Sequence, residues 1–380
     1  MNKNHKLELL EQYMFEINVP IVGVVKPFHD EELVSTLKEH HRNNQYIFFG
    51  ETTIEQRQNV EAVFPVCKEI IVIGIPYNTD EKLQLDGQEA LDGFISNMAW
   101  AYDYHQVVKE KLSLLETYIQ NIDPEVVSLK QVDTGPLIDR HIAHRAGIGA
   151  YGKNQCLMNA YYGTEFYIGY LMLDREIIGV ETTVVSNNTL RALRCETCYA
   201  CVRNCPANAL TDAFEFMGQR CISYLTQKKE HLTWEERELI GMSVYGCDHC
   251  QLICPANRTK QEIPEVYKRK SLNRIDLMEF LSTSNKQLMR RYRETGFAWR
   301  GAKILKRNAI IALGNKKDKK SVLFLMDLLK NDNDYHTPYI LWALYHCRSE
   351  KIAIICREIL ENTMDETIKR ECESILHIVK

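Results

Sequence analysis

The sequence predicts an α+β multidomain protein, and three features carry that prediction. The N-terminal half alternates short β-branched runs with amphipathic helices, a central stretch is crowded with cysteine, and the C-terminal third is helical throughout. The 380 residues suit two or three domains of roughly 100–200 residues each. With 45% hydrophobic and 26% charged residues, the chain can build a sizeable core and is not a disordered one. Its net charge of −4 means that a nucleic-acid partner would have to be held by a local basic patch. The longest apolar run, "IIVIGIPY", is too short to span a bilayer, and "MNKNHKLELLEQYMF" lacks the apolar centre of an export signal. A cytoplasmic protein without a membrane partner is expected.

Residues 1–185 read as an α/β domain. An opening amphipathic helix leads to "VPIVGVVKP", "EIIVIGIPY", "VVSLKQVDTGPL" and "TEFYIGYLML" as strands, with "YDYHQVVKEKLSLLETYIQNI" as a helix among them. Residues 186–265 show little periodicity and hold most of the cysteines. Residues 266–380 read as short amphipathic helices: "KILKRNAIIALGN", "KSVLFLMDLLKND", "TPYILWALYHC", "EKIAIICREILEN" and "TIKRECESILHIV". Their succession suggests HEAT-like repeats, with a period too degenerate to fix.

Eight of the thirteen cysteines fall between positions 195 and 254. An odd total in a long chain without an export signal argues against a disulfide framework, and clustering argues for metal. "CETCYACVRNCP" has the C-x2-C-x2-C-x3-C-P spacing of bacterial-type ferredoxins, in which the fourth cysteine ligates the other of two clusters. Partners follow in "GQRCISYLTQ" and "CDHCQLICP". Crossed ligation assigns Cys195, Cys198, Cys201 and Cys254 to one 4Fe–4S cluster, and Cys205, Cys221, Cys247 and Cys250 to the other. Zinc is the rival reading, since C-x2-C pairs also build zinc ribbons, but the triple spacing suits tetrahedral zinc poorly. The other five cysteines are expected to be small buried hydrophobes. Clusters only move electrons, so the remaining chain must use them.

"AGIGAYGKN" carries Gly147, Gly149 and Gly152 in G-x-G-x-x-G order, but "IDRHIAHRA" before it reads as a helix. Gly147 is therefore expected to cap that helix in a left-handed conformation rather than open a dinucleotide site. Asp133 ends a strand and enters a Thr-Gly-Pro turn, where it either serves function or accepts turn hydrogen bonds. Asp139 and His141 approach a cobalamin D-x-H-x-x-G signature that fails at His144.

Taken together, "VDTGPLIDRHIAHRAGIGAYGKN", the two cysteine runs, "RCISYLTQ" and "AWRGAKILKRNA" resemble the epoxyqueuosine reductase family and, more distantly, corrinoid reductive dehalogenases. The resemblance covers most of the chain. It implies a base-off cobalamin between an α/β domain and a two-cluster ferredoxin domain, with helical repeats helping to bind tRNA. It implies reduction of an epoxide at the wobble position of tRNA with a GUN anticodon, in the last step of queuosine synthesis. By the same resemblance, Asp133 is the proton donor, and Arg57, Leu157, Ile168, Ser223, Cys247 and Asp248 border the corrin with it. Ser96 occupies a position near the corrin's lower face where some relatives carry cysteine. A free Asp is ionised at neutral pH, so a donor role for Asp133 would require burial to raise its pKa.

The basic stretch 286–307 carries eight Lys and Arg against one Glu, with Tyr292, Phe297 and Trp299 interleaved. Trp299, Arg300, Lys303, Lys306 and Arg307, together with Gln227, Lys228 and Lys229, are the candidate tRNA contacts; a solvated helix face is the alternative. A monomer fed by an external electron donor is expected. A corrinoid reductase of a small molecule and a non-enzymatic electron-transfer scaffold are the other function classes.

Overall fold

The computed structural model describes residues 3–43, 45, 47, 53–79, 91–100, 102–179, 195–211, 215–258, 268–269, 274–331 and 335–379. The domain borders expected at 185/186 and 265/266 lie outside these residues. The chain forms two compact units that interleave in sequence. The first comprises Met1–Leu83, Ala101–Cys221 and Asp248–Ser271; the second comprises Gln84–Trp100, Ile222–Cys247 and Leu272–Lys380. Contacts thus do not follow the linear order of the three segments. From Asp248 on, the run "CDHCQLICP" returns to the first unit, where the other cysteine run lies.

The first unit opens with helix α1 (Lys3–Glu16), which buries Leu10 and Met14 one turn apart. Its sheet contains β1 (Ile21–Val25), β2 (Glu69–Pro76), β3 (Ser128–Gln131) and β4 (Phe166–Leu173), in the order β1-β2-β4-β3. Every residue of β2 is buried, as an unbroken β-branched run between two neighbours requires. β2 pairs with β4 from Glu69 opposite Leu173 to Pro76 opposite Phe166, and β3 pairs with β4 with Gln131 opposite Tyr170. All three ladders are antiparallel. The expected α/β domain is therefore α+β in its sheet: periodicity located the strands but does not encode their direction. Helix α2 (Tyr104–Ile122) lies against β4, burying Val108, Leu112, Leu115 and Ile119 along one stripe.

Helix α3 (Asp139–Arg145) precedes Gly147, whose φ of 80° takes the chain out in the left-handed conformation. A helix, not a strand, thus leads into the glycine motif. The short helices α4 (Ala200–Arg203) and α5 (His249–Leu252) pack together and carry cysteines from both runs. Beyond α5, Asn257 accepts from Thr164 N (2.7 Å) and donates to Thr164 Oγ1 (2.9 Å), pinning the end of the second run.

The second unit is mainly helical. It also holds a three-stranded sheet in which Asp92–Ile95 lies between Arg274–Asp276 and Ser243–Tyr245. These strands are too short to leave a pattern in the sequence. Helix α6 (Gly301–Lys316) is buried along most of its length and packs on α7 (Thr337–His346), with α8 (Ile352–Asn362) and α9 (Glu366–Ile378) beyond. Trp342 is fully buried beside Gly314, where a Cβ would meet its ring at 2.5 Å. Arg237 and Glu371, both buried, form a bidentate pair at 2.8 and 2.9 Å that ties the Trp234–Ile240 helix to α9.

Candidate active site, cluster ligands and nucleic-acid interface

Just past β3 the chain buries Val132 and then turns through Asp133, which has a φ of 50°. A non-glycine residue is held there only by its surroundings. The Asp133 amide donates to Asp139 Oδ2 at 2.7 Å, and Tyr170 OH donates to Asp139 Oδ1 at 3.1 Å. Asp139 therefore fixes the turn from beneath while the Asp133 carboxylate faces outward, with 62% of its side chain open to solvent.

The first turn of α2 supplies the partners of that carboxylate. Asp103 caps the helix by accepting from His105 N (3.1 Å), and the same oxygen lies 2.7 Å from His105 Nδ1. His105 Nε2 then lies 3.5 Å from Asp133 Oδ2. Tyr104 OH donates to that same oxygen in a short hydrogen bond. Tyr104 stacks on His105 and on Tyr167, and Tyr167 stacks on Tyr77, so the ring positions are fixed by an aromatic column.

The atoms packed around the Asp133 carboxyl, open as much of its side chain is, would push it up by desolvation, but donors on His105 and Tyr104 outweigh this and hold the group below the usual carboxylate range. His105 is shifted the other way: the Asp133 carboxylate holds its imidazole above the usual range against the pull of burial, with Asp103 adding to the effect. Asp139 is pushed up to about 7 by burial and by the neighbouring Asp133 charge. The pair thus favours the ionised Asp133 carboxylate and the protonated His105 imidazole more than the free side chains would.

Of the residues expected at the corrin, Arg57, Asp133, Leu157, Ile168 and Asp248 belong to the first unit, and Ser96, Ser223 and Cys247 to the second. Ile168 is the one residue of β4 that is not buried, a half-open apolar position packed against a core that includes Leu157. The Arg57 carbonyl accepts from Ile138 N at 3.1 Å, joining its 3-10 turn to the Asp133–Asp139 loop. Asp248 is buried and begins α5. In the second unit, Ser96 is buried against Gly246, where a Cβ would come within 2.5 Å of Ser96 Cβ. Gly246 also has a φ of 73°, so both space and backbone require glycine there.

The cysteines of the two runs form no disulfides. Cys254 has Cys201, Cys195 and also Cys156 as electrostatic neighbours, and Cys201 has Cys195 and Cys198. The four residues that crossed ligation groups are among these neighbours. Backbone amides donate to two of the sulfurs, Lys153 N to Cys195 Sγ (3.4 Å) and Ala209 N to Cys205 Sγ (3.3 Å), as suits thiolates bound to iron. The Lys153 ammonium is buried, donating to Glu196 O at 2.8 Å and sitting 3.5 Å above the Tyr199 ring. Cys205, Cys221 and Cys250 lie in the first unit, and Cys247 ends a segment of the second. Among the described residues no three His, Cys, Asp or Glu side chains are gathered to hold a single metal ion. Of the five cysteines expected to be buried hydrophobes, Cys67, Cys347, Cys356 and Cys372 are buried. Cys156 is only half-buried, and it hydrogen-bonds the Cys250 thiol.

The basic stretch divides. Lys303 and Lys229 are exposed, and Trp299 is 56% exposed with its indole N–H donating to Tyr245 OH at 2.6 Å. Tyr245 OH bonds Gln227 Oε1 at 3.1 Å, and Arg300 Nε donates to Gln227 O at 2.6 Å while its guanidinium covers the Trp299 ring. Lys228 pairs with Glu236 at 2.6 Å. Two expectations fail. Arg307 is fully buried, with its guanidinium donating to the carbonyls of Lys228 and Leu225 and to Asn308 Oδ1, so no phosphate can reach it. The Lys306 ammonium is committed to the carbonyls of Leu281 and Thr283, and burial pulls its pKa down. Phe297 is fully buried and belongs to the core.

The epoxyqueuosine reductase QueG family matches residues 57–134, and the 4Fe–4S double cluster binding domain family matches residues 194–257. Epoxyqueuosine reductase of Listeria monocytogenes is 34% identical over 86% of this chain and 84% of its own length. The chain belongs to the epoxyqueuosine reductase family. The epoxyqueuosine reductase of Bacillus subtilis is 31% identical over 100% of this chain and 97% of its own length. A structure of the Bacillus subtilis enzyme, with its catalytic aspartate loop swung out of the active site, matches with a TM-score of 0.88 at 28% identity over 100% of both chains. An epoxyqueuosine reductase bound to an epoxyqueuosine-modified tRNA-Tyr stem loop matches with a TM-score of 0.86 at 28% identity, also over 100% of both chains. As a family member this chain is an oxidoreductase, an epoxyqueuosine reductase with cobalamin and two 4Fe–4S clusters as cofactors. The converging thiols with their amide donors fit the clusters. The half-open Ile168 and the outward-facing Asp133 carboxylate are an apolar position and a polar group of the kinds that a corrin and its substrate would need.

The sequence passed over Tyr104, His105 and Asp139 as site residues. The first two were legible only as the start of a helix, and Asp139 only as part of a failed cofactor signature.

Proposed function

We propose that this chain reduces the epoxide of epoxyqueuosine at the wobble position of GUN-anticodon tRNA to the alkene of queuosine, releasing the oxygen as water. The observation that carries the chemistry is the Asp133 carboxylate, outward-facing on a braced turn with Tyr104 and His105 behind it. Cobalamin, taken base-off by the family resemblance, would supply the reducing electron density, with the clusters and an external donor as its source of electrons. Asp133 meets the departing oxygen and delivers its proton. Arg57, Leu157, Ile168 and Asp248 of the first unit border the corrin, and Ser96, Ser223 and Cys247 are assigned to it by the family resemblance. Ligation crosses between the runs, with Cys195, Cys198, Cys201 and Cys254 on one cluster and Cys205, Cys221, Cys247 and Cys250 on the other.

For tRNA, the ridge of Gln227, Lys228, Lys229, Trp299, Arg300 and Lys303 offers exposed charge and an exposed indole that suits an unpaired base. We read the C-terminal helices as HEAT-like supports of that ridge, residues 1–185 and 186–265 as the cobalamin and cluster segments, and the enzyme as a cytoplasmic monomer. The deciding experiment is turnover of an epoxyqueuosine-containing anticodon stem loop with and without cobalamin, read by mass spectrometry as loss of one oxygen atom. Anaerobically reconstituted protein is expected to carry two full clusters. Turnover without cobalamin, or iron for only one cluster, would overturn the corresponding part of the reading.

A further inference from the structure

Reducing an epoxide to an alkene sends two protons to one and the same oxygen. The first arrives as one C–O bond breaks and its electron pair moves to oxygen, giving a hydroxyl. The second arrives as the other C–O bond breaks, giving water. Both electrons come from the reductant that the established activity already uses. A single carboxyl at the oxygen holds one proton, so it must be reloaded between the two events.

We propose that His105, oriented by Asp103, reloads Asp133 between the two protonations and is thus the proton reservoir behind the donor. This rests on the reading of Asp133 given above. The imidazole's Nδ1 is engaged by Asp103 Oδ1 at 2.7 Å, which turns Nε2 toward Asp133 Oδ2 at 3.5 Å. Catalytic hydrogen bonds are often this long before substrate is bound. Tyr104 OH holds the same Asp133 oxygen, fixing it in front of Nε2. His105 Nε2 is itself buried and without another hydrogen-bond partner, so the Asp133 carboxylate is the acceptor it faces, and the ring meets solvent only through the 24% of its side chain that stays open. In the transfer, the Nε2–H bond breaks, Asp133 Oδ2 gains the proton and then gives it to the substrate oxygen, and neutral His105 takes a proton from water. The charged and titratable groups facing this pair are Asp103 and Tyr104 from α2, Asp139 and Arg140 from α3, and, acting on Asp139, Arg57. The carboxylates raise the imidazole's proton affinity above that of a free histidine, so the reservoir empties only as pH rises through that raised pKa.

His105 is a positioning residue and its test needs more than lost activity. The holoenzyme, H105Q and D103N are compared in pH profiles of kcat and KM on the modified stem loop, with iron and cobalamin content as controls. The pH dependence of diethylpyrocarbonate modification at His105, read by peptide mass spectrometry, reports its protonation in wild type and D103N. Gln keeps an N–H donor toward Asp133 but has no transferable proton, and Asn keeps the helix cap. The expected result for H105Q is a kcat lower by about 10²-fold, an unchanged KM and no alkaline limb. D103N is expected to keep most of its kcat at low pH while the alkaline limb and the modification profile both move to lower pH. An H105Q profile within about twofold of wild type that keeps its alkaline limb would overturn the proposal. So would a D103N enzyme in which the modification profile moves and the kcat limb does not.

Discussion

The Asp133 loop and the basic ridge were both marked in the sequence by polar residues of the right kind, yet the fold treats them differently. At the loop, the marked residue stays open to solvent and unmarked neighbours brace it: Asp139 and Tyr170 below, Tyr104 and His105 behind. At the ridge, two of the marked cations are themselves the bracing. Arg307 and Lys306 satisfy buried carbonyls, which leaves Lys229 and Lys303 exposed and Arg300 stacked on Trp299. A functional charge thus cannot be told from a structural one by composition. What separates them is whether the group's hydrogen bonds are already filled from within.

The sharpest test of that contrast is Asp133→Asn. It is expected to retain cobalamin and both clusters and to lose about 10²–10⁴-fold in kcat, because an amide delivers no carboxylic proton. Near-normal turnover at neutral pH would reduce Asp133 to a turn residue. Next in size is Arg307→Ala, which strands several carbonyls in the core and is expected to cost about 3 kcal/mol or more of stability. Thermal or urea denaturation measures it, and an unchanged midpoint with weakened tRNA binding would restore Arg307 to the RNA interface.

Asp139→Asn probes the brace beneath the loop. The Asp139 carboxyl titrates at about 7 in the fold, above the usual carboxylate range, so its stabilising contribution is complete at acid pH and is lost as pH rises through about 7. The asparagine variant is expected to lack that loss, giving a melting temperature that depends less on pH between 5 and 8. Parallel curves for the two proteins would mean that the carboxylate is ionised throughout. The smallest effect is expected from Lys303→Ala, an exposed cation lying over the Tyr335 ring. It should lower the slope of log affinity for the tRNA stem loop against log salt by about 0.7–0.9, with cofactor content and melting temperature unchanged. A salt slope equal to wild type would remove Lys303 from the phosphate contacts.

Much of the fold was legible because long, strongly patterned elements announce themselves. The runs behind β2, β4 and α2 gave their identity directly, and every C-terminal helix read from periodicity is present. The antiparallel order of the first sheet was not legible, because pairing direction depends on how distant segments meet rather than on period. The same holds for the sheet of the second unit, whose Asp92–Ile95 strand pairs with partners about 150 and 180 residues away. The cluster cysteines were readable because ligand spacing is local. Tyr104 and His105 were not, because their meaning lies in an oxygen 29 and 28 positions further along the chain.

The interleaving of the two units has a consequence for how the protein is made. The first unit draws on three separate stretches, the last running to Ser271, and the second begins at Gln84. A nascent chain cannot complete the first unit until most of its length has left the ribosome, and it must meanwhile hold strand edges and cysteines without their final neighbours. Such a chain depends on timely iron–sulfur delivery and on protection from premature oxidation during synthesis. No single cut between consecutive residues can separate the two units, so fragments for biophysical work must be drawn by permutation rather than by truncation.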